Sequence, residues 1–109
     1  MATISLDEFR AVDLRVATIT AAAPHPNADR LVVLTIDLGG EQRQLVAGIR
    51  LHYAPEDLVG KQIVVVANLQ PATLRGVESQ GMLLAASDGD GRLALVIPEK
   101  PVTAGAPVK

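Results

Sequence analysis

The sequence predicts an all-β fold: a five-stranded Greek-key barrel of the OB type, with a short helix between the third and fourth strands. Three observations carry that reading. Apolar and β-branched residues come in short runs of strand length, several of them alternating with polar residues at a period of two. Each run is closed by glycine or proline turn signals. A single helical signature interrupts the runs after the third strand, at Pro55 to Gly60.

The chain begins with Ser5 and Glu8 at S-x-x-E spacing, a capping box, so a short N-terminal helix is expected over about residues 6–11. Residues 13–20, DLRVATIT, alternate as a half-buried strand. AAAPHPNADR, residues 21–30, reads as a break because it holds Pro24, Pro26 and Asn27. LVVLTIDL, residues 31–38, is the second strand, Gly39-Gly40 a tight hairpin turn, and residues 42–47 the return strand. In APEDLVG, Pro55 suits the first helical position, Glu56 and Asp57 the first turn, and Gly60 the stop. QIVVVANL, residues 62–69, is the most apolar run and is expected to lie centrally in the sheet. QPATLRGVESQG, residues 70–81, reads as a loop, MLLAAS (82–87) as the fifth strand, DGDG as a turn and RLALVI (92–97) as an extra terminal strand. Proline at 98, 101 and 107 marks a C-terminal extension that cannot serve as a central strand.

The chain has 109 residues, which fits one domain over residues 1–109 with its core at about 9–107. Half of it is hydrophobic, yet no run approaches the roughly 20 apolar residues that cross a bilayer, and MATISLDEFR lacks the features of a leader. A soluble, cytoplasmic protein with no membrane partner is therefore expected. The absence of cysteine removes disulfides, thiolate metal sites and cysteine nucleophiles. A net charge of -2 means that an anionic partner must be met by a local patch. With Phe9 and Tyr53 as its two aromatics, the chain is poorly equipped to stack bases.

Catalytic and metal signatures fail on inspection. His25 is flanked by prolines, so His25 and Asp29 do not share a helical face, and His25 is expected as a surface loop residue. DGDG begins like a calcium loop, but Arg92 and Leu93 stand where a ligand and a glycine are required. Ser79 in GVESQG lacks the first glycine of a nucleophile elbow and has no claim on either His25 or His52. No metal, no cofactor and no enzymatic role are expected.

The barrel makes a positive forecast. Its first and last interstrand loops lie side by side and commonly bind ligands, and here they are residues 21–30 and 70–81. Arg30 near Asn27, and Arg75 near Ser79 and Gln80, would then place two guanidiniums and several polar groups on one rim, suited to a phosphate-bearing ligand. Gly76 and Gly81 permit positive φ or close backbone approach. Asn68, beside the same loop, either bonds backbone or faces the ligand.

Five segments in order, VDLRVATI, HPNADRL, IDLGGEQRQLVAGI, LVGKQIVVVANLQP and LRGVESQGMLLAAS, resemble the tRNA-binding domain family related to endothelial monocyte-activating polypeptide II. That resemblance implies an OB-fold homodimer that recognises the shape of tRNA, free-standing or attached to methionyl-tRNA synthetase. It further implies RNA contacts at Arg30, Asn68, Ser79 and Met82, to which Arg75 is added on charge and Gln80 as a polar neighbour. The last strand and tail, with Leu93, Leu95, Ile97 and Val102, would help form the dimer interface. Relatives often carry basic residues after the proline of the 70–81 loop, whereas here Ala72 and Thr73 follow Pro71, which implies modest affinity and a shallow salt dependence. A second class of function, a protein-binding dimer like the secretion-chaperone relatives, is also consistent with the low charge.

Overall fold

The structure, a computed structural model, describes residues 2–109. Helix α1 spans Leu6–Arg10, and the capping box forms: Ser5 Oγ accepts the Glu8 N–H and the Glu8 carboxylate accepts the Ser5 N–H, both at 3.0 Å. These bonds, the backbone one first, hold the Glu8 carboxyl below its ordinary pKa.

Strand β1 runs from Leu14 to Pro24, four residues beyond the expected end. Its first half pairs with β4 (Gln62–Val66), from Leu14 against Val66 to Thr18 against Gln62. Its second half pairs with β2 (Val32–Asp37), from Thr18 against Asp37 to Pro24 against Val32. A shift of register between Ile19 and Ala21 allows this bend between partners. The expected break at Ala21 is thus corrected: Ala21, Ala22 and Ala23 have little β propensity of their own, and β2 supplies the ladder that keeps them extended. The loop that follows starts at His25.

Strand β2 alternates cleanly, with Val32, Leu34 and Ile36 buried, and turns through Gly39 and Gly40, both at positive φ, into β3 (Gln42–Ala47). Asp37 Oδ1 accepts both glycine N–H groups, at 2.8 and 3.3 Å. Helix α2 (Pro55–Leu58) carries proline in its first turn and buries Leu58 in the barrel core beside Ile19, Leu34, Leu45, Ile63 and Val65. Strand β4 is flanked on both sides, by β1 and by β7 (Met82–Leu83), and ends at Val66, before the turn through Ala67 and Asn68.

The stretch expected as a loop at residues 70–81 contains a hairpin, β5 (Ala72–Leu74) and β6 (Val77–Ser79). The stretch expected as one strand at 82–87 divides into β7 and β8 (Ala85–Ser87), and β8 pairs with β9 (Leu93–Leu95). Asp88 Oδ1 organises their turn by accepting the Asp90 and Arg92 N–H groups. The tail returns as β10 (Pro107–Val108) against the start of β1.

The main sheet has the order β3-β2-β1-β4-β7. Side chains complete the cylinder between β3 and residues 78–80. Val46 N–H donates to Ser79 Oγ at 3.0 Å, and Ser79 Oγ donates to the Gly81 carbonyl at 2.9 Å. Gln44 and Gln80 exchange two bonds: the Gln80 N–H to the Gln44 carbonyl at 2.8 Å and the Gln44 N–H to Gln80 Oε1 at 3.0 Å. The result is the all-β, OB-type barrel that the order of elements predicts.

Candidate functional site

The loop between β1 and β2 is built around His25. Its backbone N–H donates to the Leu31 carbonyl at 3.1 Å, and the residue is 3% exposed. Nδ1 accepts the Asn27 N–H at 2.9 Å, so the ring proton sits on Nε2, which donates to the Leu74 carbonyl at 2.9 Å. The expectation of a surface histidine is corrected: the ring lies buried where the two loops meet, held there by one hydrogen bond to each loop.

On the other side stands the β5–β6 hairpin. Leu74 pairs with Val77, leaving Arg75 and Gly76 as a two-residue turn. Their φ values are +53° and +89°, the pattern of a type I′ turn, whose twist matches that of the flanking strands. Arg75 is the one non-glycine residue at positive φ among the described residues. Its Nη2 donates to the Asn27 carbonyl at 3.2 Å. The two loops are therefore joined at two points across about fifty residues of sequence, as the barrel topology forecasts.

Arg30 is exposed in the first loop, and its carbonyl accepts the Arg50 N–H at 3.3 Å. Arg50 is a rim residue that sequence reasoning missed. It lies in GIRLHY, a segment with no periodicity, and its proximity to Arg30 comes from the end of the β2–β3 pairing. Among the described residues, the ion pairs engage Arg15, Arg43 and Arg92, and none engages Arg30, Arg50 or Arg75. Three arginines without carboxylate partners on adjoining loops suit an anionic ligand, since guanidinium forks match phosphate oxygens.

The other expected contacts occupy different settings. Asn68 is exposed, but its side chain spans two backbone groups: Oδ1 accepts the Asp13 N–H at 2.9 Å and Nδ2 donates to the Ala11 carbonyl at 2.7 Å. It shares a shallow depression with Arg43, Pro71 and Gln80, away from the arginine rim. Ser79 is 4% exposed, with its hydroxyl engaged in barrel closure. Gln80 is half-buried and bonded to Gln44. Met82 is 47% exposed and so is not a core methionine. It lines a groove of about 510 Å³ with Leu69, Leu74, Leu84 and Leu93.

Of the four residues expected at a dimer interface, Leu95 is buried in the barrel's own core and Leu93 packs against that core. Ile97 and Val102 are exposed, as is Val96 beside them. The backbone of Val102 is held by the Gln62 side-chain amide, which bonds both its N–H and its carbonyl.

Comparison with known proteins bears directly on this geometry. Residues 14–107 match the family described as "Putative tRNA binding domain". A methionine–tRNA ligase from Thermococcus kodakarensis is 57% identical over 106 residues, 97% of this chain but 14% of the ligase, so the chain spans about one seventh of that relative's length. Among solved structures, a MetRS related protein from Pyrococcus horikoshii matches over the whole of both chains, with TM-score 0.94 and 37% identity. The chaperone CsaA of Bacillus anthracis matches over 99% of this chain and 100% of its own, with TM-score 0.91 and 32% identity.

Proposed function

Because the chain belongs to the tRNA-binding domain family, we propose that it captures folded tRNA without catalysing a reaction on it, and raises the concentration of tRNA available to a methionyl-tRNA synthetase. The observation that carries this reading is the bond from Arg75 to the Asn27 carbonyl, which draws the hairpin tip onto the loop that bears Arg30. Arg30, Arg50 and Arg75 bind phosphates, while Met82 and its groove meet the apolar faces of the RNA. Asn68, Ser79 and Gln80 support the framework that presents this surface, Asn68 by fixing the turn after β4 and the other two by closing the barrel. Recognition by backbone contacts of this kind reads RNA shape, not base sequence.

With a net charge of -2 and no basic residue at Ala72 or Thr73, one copy holds tRNA weakly. A cytoplasmic homodimer joined through the exposed strip of Val96, Ile97 and Val102 presents two rims to one RNA and recovers affinity through effective concentration. Sedimentation equilibrium at micromolar concentration should give twice the chain mass. The binding site is tested by fluorescence anisotropy with labelled tRNA: Arg30→Ala, Arg50→Ala and Arg75→Ala should each weaken binding about tenfold, from the loss of one charge-assisted contact. Unchanged affinity in all three would refute the assignment.

The groove beside Met82 supports a second reading, protein binding of the kind that the name of the CsaA neighbour suggests. Competition separates the two, because a peptide seated in the groove as the primary ligand should not be displaced by folded tRNA.

A further inference from the structure

His25, Asn27, Leu74 and Arg75 form a closed circuit of three hydrogen bonds between the two loops. The Asn27 N–H donates to His25 Nδ1, His25 Nε2 donates to the Leu74 carbonyl, and Arg75 Nη2 donates back to the Asn27 carbonyl, at 2.9, 2.9 and 3.2 Å. The two outer bonds span 49 and 48 residues of sequence. The Leu74 carbonyl directly precedes Arg75, so the ring holds the hairpin at the peptide unit that sets the position of the guanidinium. His25 is itself buried although Asn27 and Leu74 are exposed, so losing either bond would leave a ring nitrogen desolvated and unpaired. The anchored residue is also the one that carries an unfavourable left-handed backbone, a conformation that persists where the surroundings over-determine it.

We propose that His25 is a positioning residue for tRNA capture: it touches no RNA and sets Arg75 at a fixed distance from Arg30, so that both reach phosphates of one folded molecule without reordering. The proposal rests on the tRNA-binding reading given above. Its physical content is preorganisation, since a hairpin tip that had to be immobilised on binding would spend part of the contact energy on ordering. Histidine suits the task because a rigid ring presents an acceptor and a donor on separate edges, spanning the Asn27 N–H and the Leu74 carbonyl at once.

The test is a double-mutant cycle read by anisotropy with labelled tRNA at several salt concentrations, with a thermal melt for each variant. His25→Asn keeps an acceptor near Asn27 and loses the reach to Leu74, whereas His25→Gln brings an amide donor toward the Leu74 carbonyl. His25→Asn should bind about tenfold more weakly, the worth of the Arg75 contact it releases, and should lower the salt slope by about one phosphate. Combined with Arg75→Ala it should add little to the loss caused by Arg75→Ala alone, and His25→Gln should recover most of the affinity. If His25→Asn lowers the melting temperature but binds tRNA like the wild type, or if its loss multiplies with that of Arg75→Ala, the proposal is wrong. Should His25→Asn fail to fold, His25→Gln decides: near wild-type binding supports the proposal, and a folded His25→Gln that binds as poorly as Arg75→Ala overturns it. Failure of the wild-type chain to bind tRNA would instead refute the functional reading itself.

Discussion

The left-handed Arg75 sets up a trade between stability and binding that can be measured. An L-residue other than glycine, asparagine or aspartate in this region of φ/ψ costs roughly 1–2 kcal/mol. Arg75, at φ +53°, occupies the first position of a type I′ turn, where asparagine is favoured. Two substitutions separate the contributions. Arg75→Ala loses the exposed bond to Asn27 and keeps the backbone cost. Arg75→Asn loses the same bond and relieves most of that cost, so it should be more stable than Arg75→Ala by about 1 kcal/mol. For a chain of this size that difference raises the melting temperature by roughly 4–8 °C. Both variants should bind tRNA about tenfold more weakly, and the slope of log affinity against log salt should fall by about 0.7–0.9 in each. Circular dichroism melts and anisotropy titrations at several salt concentrations make these measurements. If Arg75→Asn is no more stable than Arg75→Ala, the turn stores no strain; if both bind like the wild type, Arg75 is not a contact.

Further outcomes follow from the packing. Ser79→Ala should destabilise the fold by about 1–3 kcal/mol in urea melts, because the Val46 N–H loses its partner in a buried setting. The loss of tRNA binding in that variant should track its unfolded fraction, and a folded Ser79→Ala with weakened binding would show a direct role for the hydroxyl. Leu58→Ala, which empties the position that α2 fills in the core, should cost about 2–5 kcal/mol, and a smaller loss would mean that the helix seals little. The capping box predicts a pH dependence. Because the folded pKa of Glu8 is lowered from 4.5, its contribution is present above that value and fades as pH falls through the lower folded pKa. In Ser5→Ala an NMR titration should return Glu8 toward its ordinary value, and an unmoved titration would contradict the assignment.

Much of the barrel was legible because it rests on local chemistry. The capping box at Ser5 and Glu8, the Gly39-Gly40 turn, the Pro55 helix start and the alternation of Val32, Leu34 and Ile36 are each a residue choice that a backbone conformation demands. The family segments were legible for the same reason, since they are runs of adjacent residues. What stayed hidden depended on partners distant in sequence. Ala21 to Ala23 become a strand because β2 lies beside them, and the 70–81 segment becomes a hairpin although it offers Arg75 where a turn prefers asparagine or glycine.

The candidate site shows the same division. Arg30 and Arg75 could be named from loop position and charge, while Arg50 could not, because a backbone bond to Arg30 and no pattern of its own brings it to the rim. Residue type also left open what a polar side chain does. A serine or asparagine offers the same hydroxyl or amide to an RNA as to a buried backbone group, and which of the two it meets is set by the packing around it. Composition and spacing alone thus select the barrel and the loops that bear charge. The fold decides that His25 faces inward to join those loops, that Ser79 closes the cylinder and that Met82 stands open to a groove, because desolvation and hydrogen-bond satisfaction act on neighbours in space.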